Sequence, residues 1–550
     1  MAGVSLLVAL LAPLVLAVLV LAPATRAAAL RLAPWAPLPA LGLALVAHDP
    51  FSIEWPGVLL GTTLGLDATG RVFLLFTALV WLLAGVFARG WLRSDAQAAR
   101  FWACFLAAET GNLGVCLALD AGSFYLLFAL MTFAAYGLVV HNGSAEALRA
   151  GRVYLTMAVL GEAALVAGLL LAAVSAGSHR FDALATASLS GPAAALLIAG
   201  FGIKVGVPLL HMWLPLAHPV APVPASAVLS GVMLKAGLLG WLRCLPLGTH
   251  ALPEAGLVLM LGGLAAMLLG VAAGLMQRNP KVLLAYSSIS QMGYLALGVG
   301  AALAAPATWP LLAPALGLYA LHHALAKSSL FLGVGLVRVH GATPARLAAL
   351  ALPALALAGA PLTSGVLAKA GLKQALDTLD APWPALAGAL LPLAAVGTAL
   401  LMARLVWLVW DAYRDVAPAN APTGVHAPWL LGVLASATLA WAVAPPKLVQ
   451  GTVELAAWPD ATWPLLLATV FAWLALRARW RAPALPPGDL LLPLTRGLER
   501  LRGWVRAPSP HLAGFSRMRV PPALQRMLPG KTTGALWLAC LALLAGLLGY

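Results

Sequence analysis

Long apolar runs constrain the fold of this chain more than any other feature of its sequence. Runs of about 18 to 25 residues recur from Val4 onward, and each is long enough to cross about 30 Å of hydrocarbon as a helix. Hydrophobic residues make up 62% of the 550 residues and charged residues 9%, a balance that excludes a chain folded in water. Because the runs are continuously apolar rather than alternating, they predict helices and not barrel strands. We therefore expect an all-α polytopic membrane protein with about 16 transmembrane helices.

The cysteines and the first apolar run limit the class further. Cys104, Cys116, Cys244 and Cys540 stand singly in apolar segments without Cys-x-x-Cys spacing. This pattern argues against iron–sulfur clusters, structural zinc and a disulfide framework, so we predict no cofactor and no metal site. The first run lacks a basic leader and is too long for a signal peptide, so we interpret it as the first span.

The net charge of +15 does not indicate nucleic-acid binding, because the basic residues collect in alternate loops, as they do on the cytoplasmic side of membrane proteins. The loops assigned to that side contain Arg26, Arg31, Arg89, Arg93, Arg100, Arg149, Arg152, Arg278, Lys281, Arg338 and Arg346. The basic stretch 479–532 has a leucine stripe that predicts an amphipathic surface helix. We predict a multi-pass protein of the bacterial cytoplasmic (inner) membrane, with the basic loops and residues 479–532 on the cytoplasmic side.

Two Gly/Pro clusters interrupt apolar segments, and each stands beside a lysine. The residues that mark the two breaks are Gly206, Pro208, Pro361 and Gly365. Pro208 cannot donate a hydrogen bond to the carbonyl four residues earlier, which belongs to Lys204. Lys369 follows the second cluster in the same way. Broken helices of this kind line the binding sites of transporters and suggest inverted repeats.

Four lysines fall within predicted spans: Lys204, Lys235, Lys327 and Lys369. A charged side chain at the bilayer centre costs at least about 2.5 to 3.5 kcal/mol, so each must either serve a function, snorkel to an interface or pair structurally. Desolvation lowers the pKa of a buried lysine, whereas a nearby carboxylate raises it. A lysine shifted toward neutrality loads and releases a proton. We therefore predict a buried row of lysines that moves protons or other cations.

Histidines accompany two of these lysines. His211 lies seven residues after Lys204. His323 lies four residues before Lys327. Residues at these spacings lie on the same face of a helix where the local helix is continuous. Imidazole titrates near neutral pH, which suits a proton relay. For His322 we favour a polar contact between helices, and no ligand spacing supports metal binding.

Carboxylates are scarce, and Glu109 and Glu162 are the clearest examples within spans. In the simplest interpretation, each carboxylate accepts a hydrogen bond from a neighbouring helix. Alternatively, each tunes the protonation of a lysine.

Four blocks follow one another in a characteristic order: 204–243 (KVGVPLLHMWLPLAHPVAPVPASAVLSGVMLKAGLLGWLR), 277–294 (QRNPKVLLAYSSISQMGY), 323–335 (HALAKSSLFLGVG) and 359–369 (GAPLTSGVLAK). They resemble the antiporter-like subunits of respiratory complex I, over at least residues 66–414. The basic stretch before the final apolar run is most similar to the branch of group 4 membrane hydrogenases and formate hydrogenlyases.

The resemblance implies a core of fourteen helices that contains two inverted five-helix repeats, each with one broken helix. It implies a translocation axis of Lys204, Lys235, His323, Lys327 and Lys369. The predicted segments are N-terminal spans over 1–100, a first repeat over 101–243, a second repeat over 255–410, additional spans over 427–478, a basic segment over 479–532 and a final span over 533–550.

The chain departs from the family pattern at several positions. Ala129 stands where the family usually has a glutamate that pairs with the broken-helix lysine, so we expect Glu162, ahead of Glu109, to supply the missing carboxylate. Leu216 replaces an acidic residue, Asn279 a common aspartate and Tyr319 a common histidine. We expect these substitutions to leave the fold intact and to affect how well the chain pumps protons.

The leading functional hypothesis is a proton-translocating subunit of a larger redox-driven complex, which is not catalytic alone because the chain has no cysteine clusters, dinucleotide fingerprint or quinone motif. Its partners would be other membrane subunits and a peripheral redox arm, and not nucleic acid. One alternative is a subunit of a cation/proton antiporter or of an ion-driven system for inorganic carbon uptake. Another is a structural subunit whose channel has degenerated.

Overall fold

The computed structural model describes residues 2–47, 49–59, 61–417, 424–478 and 483–488. The chain divides into a unit over Met1–Leu485 and a unit over Pro486–Tyr550. The predicted amphipathic segment 479–532 lies outside the described residues apart from 483–488, and the predicted final span 533–550 lies wholly outside them.

The first unit is built from helices and one small hairpin. The helices are α1 (Ala2–Leu21), α2 (Arg26–Leu32), α3 (Leu38–Val46), α4 (Ala68–Trp91), α5 (Ala98–Leu117), α6 (Ala121–Val139), α7 (Ala145–Ala176), α8 (Phe181–Leu184), α9 (Gly191–Val205), α10 (Trp213–Val220), α11 (Val223–Val228), α12 (Leu234–Cys244), α13 (Pro253–Leu275), α14 (Pro280–Ala304), α15 (Trp309–His340), α16 (Pro344–Ala358), α17 (Ser364–Leu376), α18 (Trp383–Tyr413), α19 (His426–Val443), α20 (Pro446–Val453) and α21 (Trp458–Arg477). Strands β1 (Phe51–Trp55) and β2 (Thr62–Leu66) pair antiparallel between α3 and α4.

Twelve helical segments in the described part of the chain are long and apolar enough to cross a membrane. Two further apolar helices, α9 and α16, have 15 residues each and end at the two predicted breaks. The expectation of an all-α polytopic membrane protein is therefore confirmed. The total of about 16 spans stays a prediction.

Polar caps fix where several spans begin, because each accepts a hydrogen bond from a backbone N–H that would otherwise lack a partner in the first turn. The capping side chains are Asp67 on α4, Asp120 on α6, Ser144 on α7, Ser190 on α9, Asn279 on α14 and Thr343 on α16. Asn279 accepts from the N–H of Lys281 at 2.9 Å. The asparagine at this family position thus keeps a helix cap.

Helices α13 and α14 pack with their backbones in contact. A Cβ added at Gly263 would lie 2.6 Å from the carbonyl oxygen of Gly293. One added at Gly256 would lie 2.6 Å from the carbonyl oxygen of Gly300. Small residues permit this close approach, which drives helix association in membranes through packing. The pair holds α14, which lines the centre of the unit, in a fixed position.

The first break separates α9 from α10. Gly206 ends α9 in the left-handed conformation, with φ +83, and its N–H donates to the Gly202 carbonyl at 2.8 Å. The indole of Trp213, at the start of α10, donates to the Ile203 carbonyl at 2.8 Å. These contacts satisfy the carbonyls of Gly202 and Ile203 inside the protein, as backbone groups at membrane depth require.

The second break repeats this arrangement between α16 and α17. Gly359 ends α16 with φ +86, and α17 begins at Ser364. Gly365 lies so close to α16 that an added Cβ would be 1.7 Å from the carbonyl oxygen of Ala356. Only glycine fits at this contact. Both predicted breaks are therefore breaks in the folded chain.

Candidate functional site

Lys204 lies in the last turn of α9, with its ammonium turned toward α6 and α7. Its Nζ donates hydrogen bonds to the hydroxyl of Thr132 at 3.0 Å and of Tyr154 at 3.4 Å. It also lies 5.5 Å from the centre of the Phe128 ring. The side chain is 5% exposed, so its charge is stabilised by hydroxyl oxygens and aromatic faces.

Glu162 lines the same small cavity as Lys204. The cavity has a volume of about 20 Å³, enough for roughly one water molecule, and Thr132 and Tyr154 also line it. Neither carboxylate oxygen of Glu162 has a hydrogen-bond partner among the described residues. Glu109 on α5 is fully buried, and its carboxylate likewise has no partner in the described part of the chain. The fold thus brings Glu162, and not Glu109, to a cavity that contains one of the four lysines.

Lys235 follows a π-helical segment, Leu229–Met233, that joins α11 to α12. Its Nζ donates to the Ser230 carbonyl at 2.7 Å and lies 2.5 Å from Nδ1 of His323 on α15. Single π-helical turns inside helices often mark functional sites, because they release carbonyl groups from the regular ladder. Here the widened turn provides an acceptor for a buried ammonium.

Two serines connect Lys235 to Lys327. Ser288 donates its hydroxyl to the Leu284 carbonyl at 3.0 Å. Because a hydroxyl has one proton, Ser230, whose Oγ is 2.7 Å from Ser288 Oγ, must be the donor of that pair. The Leu284 carbonyl also accepts from Lys327 Nζ at 2.9 Å. Lys235 and Lys327 are thus each bound by a backbone carbonyl, and the hydrogen bond between Ser230 and Ser288 joins the residues around those two carbonyls.

Lys369 lies on α17, directly after the second break. Its Nζ donates to the carbonyl of Ala358, the last residue of α16, at 2.7 Å. The C-terminal end of a helix has a partial negative charge, which favours a cation there. Nζ is also 5.8 Å from the centre of the Tyr294 ring. Unlike the other three lysines, Lys369 is only partly buried.

Tyr319, at the position where the family commonly has histidine, is buried beside this lysine site. Its ring stacks on Tyr294 at 5.5 Å, and its hydroxyl donates to Gln291 Oε1 at 2.8 Å. Gln291 in turn donates to Thr398 on α18 at 3.2 Å. The substitution therefore keeps a polar network at this point.

His211 and His323 have different surroundings. Helix α15 is continuous, so His323 and Lys327 share a face as predicted. Helix α9 ends before His211, which lies in the break with its ring 6.4 Å from that of Tyr286. The shared-face argument therefore does not apply to His211 and Lys204.

The sequence analysis gave no role to His218 and assigned Lys281 to a cytoplasmic loop, but both side chains are buried. His218 is stacked on Phe331 at 4.5 Å, and neither of its ring nitrogens has a hydrogen-bond partner among the described residues. Lys281, at the start of α14, donates to the Ala221 carbonyl. The quoted motifs contain both residues, but only the folded chain shows that they are buried.

Taken together, the four lysines are held by carbonyl, hydroxyl and imidazole groups. Among the ion pairs of the described residues, none involves these lysines. Helices of membrane-spanning length, two helix breaks and four lysines bound by neutral groups are the features that the sequence analysis expected of an antiporter-like membrane subunit.

Comparisons with known proteins identify the family. The family described as NADH:quinone oxidoreductase/Mrp antiporter, transmembrane, matches residues 118–391. NADH-quinone oxidoreductase subunit N of Desulforudis audaxviator is 31% identical over 360 residues, which cover 60% of this chain and 70% of that protein. The chain belongs to this family of antiporter-like membrane subunits.

Two other comparisons agree with this assignment. Hydrogenase-4 component B of Escherichia coli is 32% identical over 329 residues, 56% of this chain and 48% of that protein. The solved structure of a membrane-bound sulfane sulfur reductase, an archaeal respiratory membrane complex, matches with a TM-score of 0.69 at 22% identity, over 98% of this chain and 99% of the other, so the fold is shared. The chain spans about half the length of several relatives that it matches.

Proposed function

We propose that this protein is a proton-translocating subunit of a larger, redox-driven membrane complex. The observation that carries the proposal is the row of intramembrane lysines whose ammonium groups are bound by neutral acceptors. A lysine held in this way exchanges its proton without breaking a direct ion pair, because the groups that accept its hydrogen bonds are neutral. Glu162 is the carboxylate that tunes the first lysine, in place of the family glutamate that is absent at Ala129.

We infer an order for proton transfer whose central step, between Lys235 and His323, rests on their direct contact. A proton enters at Lys204 and reaches Lys235, which passes it to His323. Lys327, on the same face of α15 as His323, then receives it. Lys369 forms the far end of the row, beside the second break. Each transfer leaves a neutral amine or imidazole behind, and that group accepts the next proton.

The two predicted repeats, over 101–243 and 255–410, each contribute one break and one lysine beside it. In this proposal the repeats change conformation at the breaks, and the changes alter which lysines exchange protons. The energy for these changes comes from partners, which we propose are other integral membrane subunits and a peripheral redox arm on the cytoplasmic side of a bacterial inner membrane. Reconstituted alone, the chain is expected to show no redox activity, and quinone reductase activity of the pure polypeptide would contradict this assignment.

A cation/proton antiporter subunit is the second candidate, because the family includes Mrp antiporters as well as quinone oxidoreductases. In that case the same row of lysines exchanges protons against sodium or potassium, as part of an antiporter or an ion-driven uptake system for inorganic carbon. The third candidate, suggested by Ala129, is a structural subunit whose channel has degenerated. This function requires that the lysines transmit no protons at all.

Two measurements separate these functions. Purification in mild detergent followed by mass spectrometry identifies the partners: iron–sulfur or nickel–iron subunits support the redox-driven complex, and small membrane proteins alone support an antiporter. Proton flux into liposomes that contain the full chain, driven by a potassium diffusion potential and read with a trapped pH-sensitive dye, tests conduction. Flux no greater than that of protein-free liposomes would contradict both transport functions.

A further inference from the structure

His322 stands next to the relay histidine on α15 but belongs to a different set of contacts. Consecutive helical residues point about 100° apart. His323 faces Lys235 on α12, whereas His322 bonds through Nδ1 to the hydroxyl of Ser364 on α17, at 2.8 Å. The two rings therefore extend from one helix toward two different parts of the lysine row.

The hydroxyl of Ser364 fixes which ring nitrogen of His322 has the proton. Ser364 donates its only hydrogen to the carbonyl of Ser436 on α19, at 2.7 Å. Its oxygen must therefore accept the hydrogen bond from His322, so the neutral ring has its proton on Nδ1. Nε2 is left with a lone pair and has no hydrogen-bond partner among the described residues.

An unpaired acceptor in a side chain that is 1% exposed is costly to bury. A residue that only holds two helices together does not require an unpaired buried acceptor, since a serine or an asparagine would make the same hydrogen bond. An imidazole with a free Nε2 is instead a base that is ready to accept a proton.

The position of the His322 ring bears on the connection between Lys235 and Lys369. Its Cε1 lies 3.2 Å from where a Cβ on Gly365 would be, one helical turn before Lys369. Both Lys369 and Lys235 act on His322 electrostatically.

We propose that His322 is a second proton carrier, which joins the pair formed by Lys235 and His323 to Lys369. Nε2 accepts a proton from this pair, which is left neutral. The imidazolium then releases the same proton from Nε2 to the neutral amine of Lys369, while the Nδ1 proton stays in its hydrogen bond to Ser364. Ser364 is a positioning residue that keeps Nε2 available.

This inference rests on the proposed proton translocation, and its test separates the two. His322→Asn places an amide N–H where Nδ1 was, so the hydrogen bond to Ser364 survives but no group remains that carries a proton. Ser364→Ala removes the hydrogen bond and keeps the imidazole. If His322 is a proton carrier, His322→Asn should lower proton flux at least about 10-fold, while Ser364→Ala should lower it less than about 3-fold. A purely structural contact predicts the opposite order.

The measurement is proton flux into liposomes that contain the full-length chain, normalised to the amount of folded protein. His250→Asn, an exposed substitution at the end of the α12–α13 connection, serves as the matched control and should leave flux unchanged. Lys327→Ala reports on the proposed function itself. If Lys327→Ala stops the flux and His322→Asn does not change it, the second carrier is refuted and the translocation function stands. If Lys327→Ala conducts normally, the translocation function fails, and the carrier role fails with it.

Discussion

The Nζ atom of Lys235 and the Nδ1 atom of His323 lie 2.5 Å apart, although α12 and α15 are separated by two intervening helices in the sequence. One of the two groups donates to the other, because two protonated groups in direct contact would repel each other. Either the lysine is an ammonium and the imidazole accepts, or the imidazole is charged and the amine is neutral. In the proposed route, this pair is the point where a proton changes residue with little movement of atoms.

The serine link between this pair and Lys327 should matter for conduction. Replacing Ser288 with alanine removes the hydroxyl that connects Ser230 to the Leu284 carbonyl. We expect proton flux to fall about 5- to 10-fold, because one lost hydrogen bond is worth about 1 kcal/mol. The fold should remain, and Ser175→Ala, at an exposed position on α7, should conduct normally. Equal flux in Ser288→Ala and the wild type would exclude this link from the route.

Glu162 should control the first lysine. Unit charges about 4 Å apart at an effective dielectric of about 20 attract by about 4 kcal/mol, so a carboxylate that moves in and out of range of Lys204 alters its charge state. Glu162→Gln is expected to reduce proton flux, and Ala129→Glu in that background should restore part of it, because residue 129 lies one turn before Thr132 on α6.

The matched control for Glu162→Gln is Glu146→Gln, which is exposed at the other end of the same helix. Glu109→Gln should have a smaller effect than Glu162→Gln, since Glu109 does not line the Lys204 cavity. Normal transport in both Glu162→Gln and Glu109→Gln would show that neither carboxylate replaces the missing one.

Gly365 should be essential for assembly of the second break. A methyl group at this position would lie 1.7 Å from the Ala356 carbonyl oxygen, and the overlap should destabilise Gly365→Ala by about 3 kcal/mol or more. Gly388→Ala, on α18, is the control, because an added Cβ meets nothing within 4 Å there. Thermal unfolding in detergent should show a large loss of stability for Gly365→Ala and no loss for Gly388→Ala. A stable Gly365→Ala protein would contradict the close contact of α16 with α17.

The Gly/Pro clusters of the sequence indicated where both helices end, because such a break is set by residues that are near it in the chain. That the four lysines form one row stays a prediction. The motifs did not predict the partners. Ser230 bonds Ser288, 58 residues away, and His322 bonds Ser364, 42 residues away. His322 was interpreted as a structural contact because sequence spacing gives no information about which ring nitrogen is occupied. That information depends on helices packed together in space.

The link between Asp67 and Arg243 should stabilise the fold in a pH-dependent way. The two terminal nitrogens of the Arg243 guanidinium, Nη1 and Nη2, donate to the two carboxylate oxygens of Asp67 and join the start of α4 to the end of α12. Burial raises the pKa of Asp67, but the charge and hydrogen bonds of Arg243 outweigh it, so the pKa lies below the ordinary value of 3.8. Because the folded-state pKa is lowered, this stabilisation is present at neutral pH and is lost as the pH falls below about 4.

Asp67→Asn should therefore lower the free energy of unfolding by about 1 to 2 kcal/mol at pH 7, less than a fully buried pair because Asp67 is partly exposed. The difference from the wild type should shrink as the pH is lowered toward 3. Asp182→Asn, at an exposed ion pair with Arg180, is the control and should change stability little. A difference that grows on acidification would contradict the lowered pKa.

The most direct test of the central claim is proton flux through variants in which Lys204, Lys235, Lys327 or Lys369 is replaced, one at a time, by alanine. The full-length chain is placed in liposomes, a potassium diffusion potential is imposed, and a trapped dye reports the internal pH. Lys373→Ala is the control, since Lys373 is exposed on the same helix as Lys369 and pairs with Asp377. In the proposed axis the four lysines act in series, so each alanine variant should fold and lose proton flux, while Lys373→Ala should conduct as the wild type does. Normal proton flux in all four variants would contradict the translocation axis.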